Sequence, residues 1–398
     1  MDNMDTFMEE NQKPIYADYN GSGPLSNEVR DYIRLRLDGD HFANPNAIHK
    51  MGQKVLMAME NARAVCARYL GAIPKQIIFN SGSTEGINSV FYSVCSQTNP
   101  QERPIIITSD IEHSAIYNVA SRYEKDGFET KVIKTLPNGQ IDLEDLSQLL
   151  TKYEGKIALL TVMAANNETG VIQPLSEIAD LIKGKNISFF SDTTQFLGKS
   201  EFNFKDSALD FAVLSGHKIG AMTGAGALIV KDPSTFKPFI LGGGQEKGHR
   251  GGTQNYLGYE TIAVALEDCV KSRDAYNDLS NKRDEFEKKI QKDFPDTIIF
   301  GQDAPRLPGT TYISYPGIHG QAIQIELESQ NIFVTTSSAC SDNSPVTSRV
   351  LRSMGVDDSA GRGVVRISIC AHSTKDCYQH IYKALKKAYG KLSKIENF

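Results

Sequence analysis

The 398-residue chain has no CxxC pair; its six cysteines, Cys66, Cys95, Cys269, Cys340, Cys370 and Cys377, stand singly. That spacing disfavours a disulfide framework and a structural zinc site. Charge bias is also missing, with 43 Lys+Arg against 48 Asp+Glu and a net charge of -5, which excludes a globally basic nucleic-acid binder. The longest apolar run, Ile157–Ala165, falls short of the roughly 20 residues of a membrane span. The opening MDNMDTFMEENQK is acidic and lacks an apolar stretch, so no secretory signal is expected. Neither an internal repeat nor a low-complexity tract is present. What remains is 40% hydrophobic and 23% charged, an ordinary globular composition in a reducing, cytoplasmic setting. Length alone allows two to three domains at roughly 150 residues each.

Short apolar or β-branched runs alternate with helical patterns. Strands are expected at Ile77–Asn80, Pro104–Thr108, Lys131–Lys134, Ile157–Met163, Ile187–Ser191, Phe211–Leu214 and Ala227–Val230. Helices are expected at Gln53–Leu70, Glu85–Ser96, Ser114–Lys125, Leu143–Tyr153 and Leu175–Lys183. Continuous apolar strands between helices predict a three-layer α/β/α domain with a mostly parallel sheet. From Thr261 to Lys292 the pattern reads as one long charged helix, broken at most once, and shorter strands and helices follow. Residues 26–260 are therefore expected to form a large α/β domain, and residues 1–25 with 261–398 a smaller α+β domain. The lysine-rich final helix, Asp376–Ile395, reads mainly as a solvated face.

The chemistry gathers at four strand ends. In Asp210–Gly226, DFAVLSGHKIGAMTGAG, an apolar strand runs into Ser-Gly-His-Lys and a glycine-rich turn. A lysine there, Lys218, can be desolvated, which lowers its pKa and makes the amine a nucleophile toward an aldehyde. Ser215 and His217 beside it can hold an anion; an exposed strand-end lysine fits the segment about equally well. In FFSDTTQFLGK, residues 189–199, Asp192 ends a strand with Gln195 three positions on. A buried carboxylate needs a cation, and a protonated pyridine nitrogen is one, although a turn or cap aspartate is common. In FNSGSTEG, residues 79–86, the N–H groups of Ser83 and Thr84 and the Thr84 hydroxyl form a phosphate cradle or a plain helix cap. In SDIEHS, residues 109–114, His113 follows another strand, where a lone histidine is usually structural. Taken together, in the order Thr84, His113, Asp192, Lys218, they are the parts that bind pyridoxal 5'-phosphate (PLP).

On these residues the chain resembles a fold-type I PLP enzyme of the cysteine desulfurase family, in the NifS/IscS-like group of the class-V aminotransferases. The resemblance runs from about Tyr16 to Lys386 through YADYNGSGP, NPNAIH, FNSGSTEG, EHS, NNETG, SDTTQFLGK, SGHK, RGGTQN, SSAC and VRIS. It implies that Lys218 carries the cofactor and moves protons, that Asp192 pairs with the pyridine nitrogen, and that Gln195 binds the phenolic oxygen. His113 would stack on the ring and assist proton transfer, and Ser83, Thr84, Ser215 and His217 would hold the phosphate. Thr253 would reach the phosphate of a second subunit, making the site a property of a homodimer. Arg366 would bind the substrate carboxylate with Asn167 assisting. Cys340, in the small, polar segment Thr335–Val346, would take sulfur from L-cysteine as a persulfide, leave L-alanine, and pass the sulfur to an acceptor. Ser344 and Pro345 read as the cap and first residue of the next helix. The remaining cysteines read as structural.

The acceptor is expected to be a protein serving iron–sulfur cluster assembly or sulfur modification of tRNA or DNA. No metal, membrane contact or direct nucleic-acid binding is expected. A selenocysteine lyase or related PLP lyase of this fold is the alternative, and a non-enzymatic sulfur-transfer scaffold a more distant one. The chain departs from the family where YNGSGP replaces the usual Ser-Ala-Thr-Thr-Pro after the aspartate and where RGGTQN has a glycine in place of serine or alanine. Its tail after Arg366 is also short.

Overall fold

The computed structural model describes residues 14–39, 42–336 and 347–394. Its strands are Ile15–Tyr16 (β1), Ile77–Asn80 (β2), Ile105–Ser109 (β3), Glu129–Ile133 (β4), Ile157–Thr161 (β5) and Ser188–Ser191 (β6). Phe211–Ser215 (β7), Gly226–Val230 (β8), Ile298–Ile299 (β9), Thr310–Ser314 (β10), Ile332–Phe333 (β11) and Val364–Ser368 (β12) complete them. Asn27–Asp38 (α1), Lys50–Leu70 (α2), Ser83–Cys95 (α3), Ser114–Glu124 (α4), Leu143–Lys152 (α5), Leu175–Ile182 (α6) and Tyr256–Lys271 (α7) accompany the first eight strands.

Seven strands form one sheet in the order β2-β8-β7-β6-β5-β3-β4. β8 runs antiparallel to both neighbours, and the other pairs are parallel. Because side chains alternate across a strand, the apolar runs feed two cores at once. Phe79, Ile105, Ile107, Phe189 and Ile229 meet α1, α2, α5, α6 and α7 on one face. Ile78, Ile106, Phe190, Val213 and Leu228 meet α3 and α4 on the other. The three-layer α/β architecture expected from the sequence is present.

The second region differs in one respect from its reading. The single long helix is three: α7, then Arg273–Asn277 (α8) and Leu279–Asp293 (α9). The breaks fall at Ser272 and Asp278, which keep φ values of -96° and -62° and involve neither glycine nor proline. Beyond them β9, β10 and β12 form an antiparallel sheet, while β1 pairs parallel with β11. Gly320–Glu328 (α10), Arg349–Ser353 (α11), Asp358–Gly361 (α12) and Cys377–Leu392 (α13) complete this part. Ala17, Ile290, Ile313, Leu327, Val365 and Ile381 share its separate core. Ser344 and Pro345 lie outside the described residues; the described helix nearest them, α11, is capped by Ser348, whose Oγ accepts the Leu351 N–H at 3.2 Å. Among the described residues no helix is long and apolar enough to cross a membrane.

Candidate active site

A cavity of about 430 Å³ lies at the carboxyl ends of the parallel strands, the usual ligand position in such sheets. Its first wall begins where β2 ends. Gly82 precedes α3 at φ 147°, a conformation open in practice only to glycine, and an added Cβ would lie 3.1 Å from Ser215 Oγ. Gly226 is equally constrained, since its Cβ would lie 2.5 Å from Gly82 Cα. The result is a cavity-facing helix start with Ser83 and Thr84 at its lip. The first N–H groups of a helix lack carbonyl partners within it, so a phosphate fits this cradle. Ser215 and His217 line the same space, and His217 Nδ1 lies 3.0 Å from Ser22 Oγ. Burial first, then the charges of Lys218 and Lys199, push the His217 pKa down to about 4, so the ring is neutral at pH 7.

Asp192 follows β6 and is buried. Its Oδ1 accepts the Thr194 N–H at 3.0 Å and the Thr194 hydroxyl, which in turn lies 2.6 Å from Ser83 Oγ. That leaves Oδ2 for a cation. His113 caps α4: its Nδ1 accepts the Ala115 N–H at 3.2 Å, so the neutral ring carries its proton on Nε2. Burial, with Lys218 and Arg349 adding, holds its pKa below the ordinary value against the opposing charge of Asp192. Lys218 follows β7 in a short 3₁₀ turn, and its Nζ donates to the carbonyls of Asn20, at 2.7 Å, and Gly21.

The second wall comes from the chain's start and from β12. Arg366 donates from Nη2 to Asp18 at 2.6 Å and from Nη1 to the Asn167 carbonyl at 3.0 Å. Among the described residues its buried Nε has no hydrogen-bond partner. Each Nη carries a second N–H beyond these contacts, so a guanidinium held this way on a cavity-lining residue suits a carboxylate. Gln195 reaches this wall as well, donating from Nε2 to the Asn20 carbonyl at 2.9 Å.

The cavity thus brings together Ser83, Thr84, His113, Asn167, Asp192, Gln195, Ser215, His217, Lys218 and Arg366. Thr253 is not among its lining; it is exposed on the loop before α7. Cys340 lies outside the described residues. The flanks of that segment are described: Thr335 exchanges backbone hydrogen bonds with Arg366, and Arg349 Nη2 donates to the Glu112 carbonyl at 2.7 Å, beside His113. Cys66, Cys95 and Cys377 are buried, as the sequence implied, and Cys269 is half-buried; burial pushes each of these thiols up to about 12.

Sequence reasoning assigned no role to Asp18, Asn20 or Lys199, although the motifs quoted above contain all three. Lys199 Nζ donates to Gln195 Oε1 at 2.7 Å and to Asn20 Oδ1 at 3.0 Å. The signal was the four-residue spacing from Gln195 to Lys199. For Asp18 and Asn20, no local pattern points across the chain.

Residues 15–379 match the aminotransferase class-V family. The chain is 34% identical over 385 residues to a cysteine desulfurase of Trichormus azollae, covering 96% of this chain and 95% of that protein. A solved structure described as a NifS-like protein superposes with a TM-score of 0.87 at 30% identity, over 96% of this chain and 100% of the other. One described as SspA in complex with cysteine gives 0.79 at 29%, over 90% of this chain and 100% of the other. A glycine-walled anion cradle, strand-end Asp192, His113 and Lys218, and agreement along nearly the whole length lead to one assignment: the chain belongs to the class-V aminotransferase family and, within it, to the cysteine desulfurases.

Proposed function

We propose that this cysteine desulfurase holds PLP in the 430 Å³ cavity and converts L-cysteine to L-alanine, with the sulfur leaving as a persulfide on Cys340. The observation that carries the reading is the fit of one ligand to the first wall: phosphate at Gly82–Thr84, a cationic ring nitrogen at Asp192 Oδ2, and an aldehyde at Lys218. Bound there, the cofactor supplies an electron sink for the bonds at the amino acid's α-carbon. The chain's own residues do the rest. Arg366 receives the substrate carboxylate with the N–H groups left over from its contacts to Asp18 and Asn167. His113, whose pKa burial holds below the ordinary value, and Lys218 hold or move protons on the cavity side. The Cys340 thiolate attacks the cysteine sulfur; its S–S bond forms as the substrate's C–S bond breaks, and the carbon skeleton takes up protons to leave as alanine.

The persulfide is passed to a protein acceptor serving iron–sulfur cluster assembly or the sulfur modification of tRNA or DNA. A homodimer fits the surface: Leu35, Leu37, Ile48 and Met57 are exposed around α1 and α2, Ile48 to 96%, and Thr253 is free to approach a partner's cradle. The separate core around Ile313 supports a smaller second domain alongside residues 26–260, although Ile262, Ala265 and Leu266, beyond residue 260, pack in the larger core. Five described cysteines, all unpaired, fit a reducing cytoplasm.

Purified protein supplied with PLP and L-cysteine tests the reading. Cys340→Ser should keep the visible absorption of the bound cofactor and lose sulfide release, while alanine and sulfide appear together in the wild type. Undiminished sulfide from the variant removes Cys340 from the reaction.

A further inference from the structure

Two cavity-lining amide side chains, Asn20 and Gln195, share one lysine as a donor, and the groups around them fix which way each one points. Gln195 lies with Lys199 in a turn that passes through Gly198 at φ 80°, with Leu197 N–H bonded to Thr193 O and Ser200 N–H to Phe196 O, each at 3.0 Å. Lys199 Nζ reaches Gln195 Oε1 at 2.7 Å, and the Asn20 carbonyl receives Gln195 Nε2 at 2.9 Å. An ammonium only donates and a carbonyl only accepts, so both contacts demand the same amide orientation. Asn20 is held the same way: Oδ1 faces Lys199 at 3.0 Å, and Nδ2 donates to Thr310 Oγ1 at 3.0 Å and to the Asn167 carbonyl at 3.3 Å.

Lys199 does not line the cavity that contains Gln195. It lines a second one, of about 240 Å³, together with Cys269 and Cys370, and approaches the amide from behind. It therefore acts on a bound ligand only through another residue. Burial first, then the charge of Lys218, push the Lys199 pKa down to about 7; Arg366 acts in the same direction, and Cys269 and Cys370 oppose it. The ammonium form, and with it the strongest hold on Gln195, predominates below that pH.

We infer that Lys199, anchored by Asn20, is a positioning residue that keeps the NH₂ end of Gln195 toward the cavity, where its second N–H serves the phenolic oxygen of PLP. The inference rests on the cofactor reading above and deepens it. An amide free to turn would offer that oxygen an acceptor half of the time, and an oxygen without a donated N–H holds its shared proton more tightly.

The test is a pH titration of the visible band of the PLP-loaded protein, with PLP retention measured alongside. Lys199→Met should raise the band's midpoint by about one pH unit, a tenfold change in proton affinity, and weaken PLP retention by about tenfold. Asn20→Ala keeps the carbonyl and removes the anchor, so it should give a smaller shift of the same sign and serves if Lys199→Met folds poorly. In a Gln195→Ala background, Lys199→Met should shift nothing further. Equal shifts in both backgrounds would make Lys199 a through-space charge and overturn the inference, as would identical titrations of wild type and variant. A wild type that stays colourless with PLP overturns the cofactor reading and this inference with it.

Discussion

The two walls of the cavity are built in different ways. On the sheet side, the functional residues lie a few positions past a strand and most are fixed by near neighbours, Asp192 by Thr194, His113 by Ala115 and the cradle by the backbone of Gly82, while His217 and Lys218 also meet Ser22, Asn20 and Gly21 across the chain. On the other side, the joins span the chain. Arg366 meets Asp18 across 348 residues and Asn167 across 199, and Gln195 meets Asn20 across 175. A wall made of local turns is positioned as the sheet forms, whereas the second exists only after the N-terminal segment and β12 have docked. On the function proposed above, the cofactor, which must be held in one place, falls mainly to the first wall, with Gln195 reaching it from the second. The substrate, which must enter and leave, would then fall to the second.

That division can be broken by experiment. Lys218→Ala should be the most severe change, abolishing the visible absorption and lowering desulfuration by about a thousandfold or more. Arg366→Ala should raise KM for cysteine by about a hundredfold, because a lost charge-assisted fork costs about 1.5–3 kcal/mol. Its cofactor absorption should be unchanged. Arg366→Lys, which keeps the charge without the fork, should fall between. An unchanged KM would show that the second wall does not bind substrate. Gly82→Ala is the complement: with φ at 147° and Ser215 Oγ 3.1 Å from the new Cβ, PLP retention should fall by about tenfold. KM at saturating PLP should then stay near the wild-type value, and a KM that moves as far as retention would erase the distinction between the walls.

The same contrast explains what could be read from the sequence. Apolar strands ending in Ser-Gly-His-Lys or Ser-Asp-Thr-Thr are local patterns, so the α/β layers and the residues of the first wall were legible. Arg366 and Asn167 came only from family resemblance, and Asp18 and Asn20 were passed over, because nothing near them in the chain announces a partner hundreds of residues away. Lys199 was quoted within its motif without a role; a lysine after a glycine reads as surface until a buried amide is seen beside it. The breaks at Ser272 and Asp278 escaped because their backbone stays almost helical, with neither proline nor glycine as a signal. Thr253 has no place in the cavity of a single chain, so its expected role depends on a second copy.

The smallest effect concerns what stiffens the first wall. Glu112 is buried between two strand ends, where its Oε1 accepts the Ser109 hydroxyl and the Met163 N–H, each at 2.8 Å. Burial is the largest influence on it, Asp192 adds to the same effect, and its pKa rises from 4.5 to about 8. The hydrogen bonds and Arg349 oppose this without cancelling it. Between those two pH values the folded chain keeps a proton that the unfolded chain has lost, so folding takes up a proton and stability falls as pH rises through the window. Glu112→Gln keeps an acceptor for both donors and cannot titrate. Its melting temperature should therefore decline less between pH 5 and 8 than the wild type's, by a few degrees. Parallel curves would mean that the carboxyl is ionised in the folded chain and that its negative charge, beside Asp192, is balanced by the Arg349 guanidinium rather than removed by a proton.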